Sequence, residues 1–261
     1  MTAVALAALP LLGQVEIRNR TGEGGCVQDN GAFCFGWAAD NLDRYVTPTL
    51  EHLVLVLVSV ALGFTIAFCM AVLSHRRRWL VPTFTGLTGV LYTVPSIAFF
   101  FLLLPITGRG TTTAIIALTA YTLQIIYRNI VAGLANVPPG PRDAGRGMGM
   151  TNNQLLWGVE LPLALPEIIA GLRVATVSTV AIATLAVFAG AGGLGDPIYA
   201  DLTFKTNIVI AGGIAILMAI SFDALLLLAQ RLLAPWRRAE PGPRRRHRLA
   251  TLRGAPRPTW T

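Results

Sequence analysis

Charge is scarce in this sequence. Of its 261 residues only 13% are Asp, Glu, Lys or Arg, where a soluble domain carries about 25%. Lysine is almost missing, with Lys205 the lone one against 20 arginines. Histidine is limited to His52, His75 and His247, which are not spaced to share a metal ion. No GxxxxGK[ST] loop occurs, so the chain does not hydrolyse ATP itself. No Ser–His pair or paired carboxylates lie inside the apolar runs, which argues against an intramembrane enzyme. What is abundant is apolar surface: 54% of the residues are hydrophobic and the mean hydropathy is +0.60. Soluble-enzyme and disordered classes are excluded, and an all-α integral membrane protein remains.

A spanning helix needs about 20 mostly apolar residues. Five runs qualify, near Leu53–Ser74, Phe84–Leu104, Ala114–Leu134, Ile168–Ala189 and Ile208–Leu233. They are continuous rather than alternating, so a β-barrel is excluded. Ala3–Leu12 is too short to span and lacks a basic flank; it is expected to lie at the interface. The net charge of +8 suggests nucleic acid, but +7 of it sits in residues 235–261, which hold eight Arg and one Glu. That tail, with Arg244–Arg245–Arg246–His247–Arg248, is expected to be solvated and lipid-contacting, without nucleic acid as a partner. Arg76–Arg77–Arg78, then Arg142 and Arg146, then the tail share one side if five spans are threaded. By the positive-inside rule that side is cytoplasmic, with the N-terminus outside. Trp79 and Trp236 fall at cytoplasmic span ends, where interfacial aromatics belong. The chain divides into an outer N-terminal segment (1–46), a transmembrane domain (47–236) with a cytoplasmic loop (136–167), and a disordered basic tail (237–261).

The long loop is more than a connector. Pro141 suits the first position of a helix, Asp143 its first turn, and Gly149 the C′ position. Thr151–Asn152–Asn153–Gln154 reads as a capping box opening a second short helix, which Pro162 and Pro166 are expected to end. Gly145, Gly147 and Gly149 each cost helix stability, about 1 kcal/mol apiece at interior positions. A helix so bare makes sense if another surface approaches it, as when a short helix lies in a partner's groove.

Asp143–Ala144–Gly145, three residues, Gly149, nine residues, then Val159–Glu160–Leu161–Pro162 resembles the EAA motif of ABC importer permeases. The spacing matches throughout, with Asp143 for Glu, Gly145 for Ala and Val159 for Ile. The resemblance implies coupling helices that dock into an ATPase subunit, carried here by Arg142, Asp143, Ala144, Gly145, Arg146, Gly147, Met148, Gly149, Met150, Leu161 and Pro162. Tyr92–Thr–Val–Pro95–Ser96, Glu160–Leu–Pro–Leu–Ala–Leu–Pro166, Gly171–Leu–Arg173–Val–Ala–Thr176 and Gly190–Ala–Gly–Gly–Leu–Gly–Asp196 are similar to permeases of osmoprotectant importers. Those carry glycine betaine, choline, carnitine or proline. The likeness covers about residues 47–233; the methionine importers are its nearest competitor.

The resemblance implies a type I, methionine-importer-like permease in the bacterial inner membrane. It implies two ATPase subunits, a second permease copy or a homologous permease, an external binding protein and surrounding lipid. ATP–Mg would sit on the ATPase, with no cofactor or metal on this chain. Tyr92, Pro95, Ser96, Thr176, Gly190, Gly192, Gly193 and Gly195 are pathway candidates. Pro95 either breaks its span to line a cavity or only kinks it. Gly190-x-Gly192-x-x-Gly195 matches a dinucleotide fingerprint by letter, but ends an apolar helix without the strand that fingerprint requires. It reads as a flexible turn at the substrate path or a plain loop.

Arg173 and Asp223 are the ionisable residues within spans four and five, about 8 and 15 Å in from the cytoplasmic ends at 1.5 Å per residue. They pair across the two spans, or Arg173 snorkels to the surface. Cys26 and Cys34, outside, either close a disulfide or stay free, and Cys69 is a small packing residue in span one. A channel or intramembrane enzyme is the alternative from a different class. A channel has no need of the EAA-like loop.

Overall fold

Lipid offers the backbone no hydrogen bonds, so an apolar run that enters it must satisfy its own N–H and C=O groups, which a helix does within one segment. The computed structural model describes residues 25–27 and 33–235, and all the regular structure among them is helical. A short helix α1 (Phe35–Asp40) and a 3-10 turn (Leu42–Tyr45) lead into α2 (Val46–Arg76). Next come α3 (Leu80–Thr93), α4 (Ser96–Thr107) and α5 (Thr111–Ala135). The long loop after α5 holds α6 (Pro139–Gly147) and α7 (Asn152–Leu155), followed by a π-helical turn (Leu156–Glu160). Helix α8 (Leu161–Ala183), a 3-10 turn (Thr184–Ala189), α9 (Gly195–Ala200) and α10 (Lys205–Leu233) complete the order. The interfacial segment Ala3–Leu12, Trp236 and the basic tail lie outside the described residues.

Four helical stretches are long and apolar enough to cross a membrane: Leu42–Arg76, Thr111–Ala135, Asn152–Ala189 and Lys205–Leu233. The expected second span, Phe84–Leu104, is not one helix. It is α3 plus α4, bent by 97°. Pro95 disfavours a helical conformation at the residue before it, and Val94 is extended (φ −66°, ψ 128°). The bent pair still carries the chain from one end of the molecule to the other. Helix α3 starts just after the Arg76–Arg78 corner. Past the end of α4, the Gly110 N–H donates to the Ala189 carbonyl at 2.7 Å, beside the Gly-rich loop at the opposite end. It is therefore a broken fifth crossing.

Helix α5 is the axis of the fold. In its most apolar stretch 61% of residues are buried, against 11% in α10, which is peripheral. Two apolar clusters meet on it. Leu118 and Tyr121 pack with Leu55, Phe100, Val180 and Leu194 towards the Gly-rich loop. Ile126, Tyr127 and Ile130 pack with Ala67, Ala71, Leu156 and Ala164 towards the Arg-rich end. Close approach along α5 relies on small residues: a methyl on Gly171 would lie 2.3 Å from Asn129 Cβ. Between α8 and α10, Arg173 Nε and Nη2 donate to Asp223 Oδ1 and Oδ2, each at 2.8 Å.

Candidate functional site

The long loop between α5 and α8 is built from its caps. Pro139 and Pro141 both occupy the first turn of α6, where a missing N–H leaves no partner without a donor. The helix therefore begins two residues before the expected Pro141. Asp143 consequently falls beyond the first turn and faces Arg146 at 3.9 Å, a solvated contact of little energetic weight. Gly149 (φ 79°) turns the chain after α6, a left-handed conformation suited to glycine. The capping box is complete: the Thr151 side chain accepts from the Gln154 N–H while the Thr151 N–H donates to Gln154 Oε1 at 2.8 Å.

The second short helix does not stop at Pro162 and Pro166. α7 passes through the π-turn directly into α8, giving a 38-residue stretch from Asn152 to Ala189. The π-turn interrupts the α-type hydrogen-bond ladder just before Pro162, which therefore stands in the first turn of α8. Leu161 is buried and Pro162 half-buried at this junction.

The three loop glycines differ in what surrounds them. Gly145 is buried, and a methyl there would sit 2.8 Å from Leu155 Cδ1 and 3.3 Å from Met150 Sδ. The close surface is the chain's own α7. Gly147 and Gly149 face open space. Asp143, Ala144, Arg146, Gly147 and Met148 form an exposed face, with Met148 72% exposed, while Arg142 and Met150 are half-buried. A small-residue surface with one apolar knob can be received in a partner's groove.

A buried carboxylate roots this loop. Glu160, 4% exposed, places Oε1 2.7 Å from Arg142 Nε and Oε2 2.8 Å from His75 Nε2. The other end of the Arg142 guanidinium donates to the Leu134 carbonyl, and Arg76 Nη2 donates to Asn153 Oδ1 at 3.0 Å. Sequence reasoning passed over Glu160 as the variable position of the motif. The available signal was one acidic residue inside an otherwise apolar run.

The opposite end holds the other candidates. Gly190, Gly192 and Gly193 have φ of 72°, 77° and 87°. This loop is tied down rather than free. The Gly193 N–H donates to Glu51 Oε2 at 2.9 Å. The Leu194 N–H donates to His52 Nδ1 at 3.3 Å. His52 Nε2 lies 3.1 Å from the Val180 carbonyl, so the ring carries its proton on Nε2 and links α2, α8 and the loop. A methyl on Gly192 would meet Glu51 Oε2 at 2.3 Å. Burial, and then the nearby Glu51 carboxylate, push the Asp196 carboxyl above its ordinary value. Beside this lock is a depression of about 320 Å³ lined by Leu50, Glu51, Val54, Leu55, Thr111 and Ala191.

Tyr92, Pro95 and Ser96 gather at the bend. Tyr121 of α5 donates its hydroxyl to the Val94 carbonyl, which the break leaves without a helical partner, and its ring meets Tyr92 edge-on at 5.9 Å. Thr176 belongs to neither place; it is buried in α8 and donates to the Leu172 carbonyl at 2.8 Å. Cys26 and Cys34 are bonded, with their Cα atoms 5.7 Å apart. Among the described residues no cluster of His, Cys, Asp or Glu could hold a metal ion.

Five helical crossings, an Arg-rich end bearing the loop of α6 and α7, and a pinned glycine loop opposite describe a multi-pass membrane protein. Residues 59–239 match the family model described as binding-protein-dependent transport system inner membrane component, and the chain belongs to that family. It is thus a permease component of an ABC importer in the bacterial inner membrane, working with an ATPase and a substrate-binding protein, and it is not itself an enzyme. The chain is 39% identical to the osmoprotectant import permease protein OsmW of Salmonella typhimurium, over 75% of this chain and 94% of that one. It is 36% identical to the choline transport system permease protein OpuBB of Bacillus subtilis, over 72% and 87%. It is 39% identical to the carnitine transport permease protein OpuCB of Listeria monocytogenes, over 68% and 82%. Its fold is similar to an inward-facing structure of the MetNI methionine ABC transporter, with a TM-score of 0.62 at 24% identity over 70% of this chain and 95% of that one. It is also similar to an amino acid ABC transporter, with a TM-score of 0.64 at 19% identity over 76% and 98%.

Proposed function

We propose that this chain forms the translocation pathway for quaternary-ammonium osmoprotectants: glycine betaine, choline, carnitine or the related solute proline. The observation that carries this reading is the set of relatives at 36–39% identity named for choline, osmoprotectant and carnitine transport. Methionine is the second reading, from the sequence resemblance of the Gly190–Gly195 loop to that of methionine importers.

Two ATPase subunits engage the exposed face of α6 around Asp143–Met150, and ATP–Mg is held on those subunits. A second copy, or a homologous permease, completes the pathway, since five crossings are few for a pore. The binding protein delivers substrate to the end bearing Gly190–Asp196. ATP closes the ATPase pair, the α6 helices approach each other, and the crossings switch between two packed arrangements. The bend at Pro95 and the pinned glycine loop are where the pathway narrows. Cargo selectivity rests mainly on the binding protein, where an aromatic cage suits a quaternary ammonium.

The test is uptake of labelled glycine betaine, choline and methionine by a host lacking its own carriers. That host expresses this chain with its cognate ATPase and binding protein, in low and high salt. Uptake of a quaternary amine is expected. Uptake of methionine alone moves the cargo to the second reading, and uptake of none with an assembled complex discards both.

A further inference from the structure

We infer that Glu160 is a positioning residue that clasps the docking helix α6 to the ends of three crossings, so that α6 and these ends move as one body. The inference rests on the importer function above. Glu160 closes the π-turn at the head of α8. Its carboxylate faces Arg142 of α6 at 2.7 Å and His75, at the end of α2, at 2.8 Å. Arg142 in turn donates to the Leu134 carbonyl near the end of α5. One buried carboxylate thus joins the docking helix to α2, α5 and α8.

Three observations favour a transmitting role over simple packing. First, α6 has little else to hold it: apart from Gly145 and half-buried Arg142 its residues are exposed. A push delivered to its outer face must leave through Gly145 against Leu155, or through Arg142. Second, a buried carboxylate is costly unless paired, and its two partners, the Arg142 guanidinium and the His75 ring, come from elements other than its own. Moving α6 away from α2 would therefore strand a charge, which resists separation more steeply than apolar contact does. Third, the pair sits on a π-turn. Such turns are rare, are found at functional sites, and interrupt the α-ladder so that the segment can re-register without breaking the helix. The clasp makes the loop rigid, and the π-turn allows the joined ends to swing relative to the rest of α8.

The test uses the assembled permease–ATPase–binding-protein complex in lipid. Spin labels are placed at Gly140→Cys on α6 and Leu73→Cys near the end of α2, in a Cys69→Ser background that keeps Cys26–Cys34. Without Glu160 changes the distance distribution is expected to be narrow, with or without ATP. Glu160→Gln is expected to broaden it and to raise ATP consumed per substrate delivered about fivefold or more, the usual lower range of coupling between sites. Glu160→Asp recovers part of both. If Glu160→Gln fails to assemble, Arg142→Gln and His75→Gln decide: each removes one partner of the carboxylate and is expected to broaden the distribution. A narrow distribution and an unchanged ratio in the assembled variants overturn the clasp. Absence of osmolyte uptake in the parent complex sinks the cargo assignment instead, and the label pair still decides the clasp.

Discussion

Two glycines show how the surroundings, rather than the residue type, decide what a methyl costs. A Cβ at Gly195 would lie 2.0 Å from the Thr184 carbonyl oxygen and 2.9 Å from its carbon. Both are backbone atoms of the 3-10 turn and cannot step aside without disturbing the lock at His52. At Gly145 the first obstacle is the end of the Leu155 side chain at 2.8 Å, which a rotamer change can relieve. Alanine there also regains about 1 kcal/mol of helix propensity. Gly195→Ala is expected to destabilise by about 1–3 kcal/mol or more, the range for overpacking. Gly145→Ala should fall within about 1 kcal/mol of neutral, because the two effects oppose one another. Thermal unfolding of the purified permease followed by tryptophan fluorescence separates them. Equal losses at the two positions would contradict this account. At Gly145, where the EAA motif has Ala, the nearest neighbour of an added methyl is thus a side-chain end, Leu155 Cδ1.

Between elements, the Arg173–Asp223 pair carries the sharpest expectation. The two side chains meet as a parallel fork, the geometry in which a guanidinium is hardest to replace. Each end is partly exposed, in helices long and apolar enough to cross a membrane. Arg173→Asp and Asp223→Arg singly are expected to lower the yield and thermal midpoint of the folded protein, and the double exchange to recover most of the loss. A double exchange no better than the singles would mean that the fork does not hold α8 to α10. This pair was legible beforehand, because two charges in apolar runs at compatible depth have few other partners. The capping box and the turn at Gly149 were legible for a related reason, since caps depend on residues three or four apart. The bend was legible as a position, Pro95, but not as an angle. The bend is 97°, and the carbonyl it frees at Val94 is met by Tyr121, a partner 27 residues away. The run of α7 into α8 was not legible at all. Proline normally stops a helix, and nothing local announces a π-turn that lets Pro162 begin a new one. The Glu51 and His52 lock on the glycine loop escaped for the same reason. Its partners are 142 residues apart, and hydropathy has no means of pairing them.

For the assembled transporter, the question is whether the exposed face of α6 is where the ATPase takes hold. Met148 is the apolar knob of that face, at 72% exposure. It lies at the Arg-rich end, where tryptophan and arginine mark the membrane boundary, so lipid does not account for it. Burying a methionine side chain in a partner contributes about 1.5–3 kcal/mol. A charge at the same place would forfeit that and oppose desolvation. Met148→Glu should therefore weaken capture of the ATPase by about tenfold or more, since about 1.4 kcal/mol is a factor of ten. The fold should be untouched, because the residue has little contact with its own chain. Titrating ATPase subunits onto permease in nanodiscs reads the first effect, and the thermal midpoint reads the second. Unchanged capture with Met148→Glu would place the docking surface elsewhere on the cytoplasmic end.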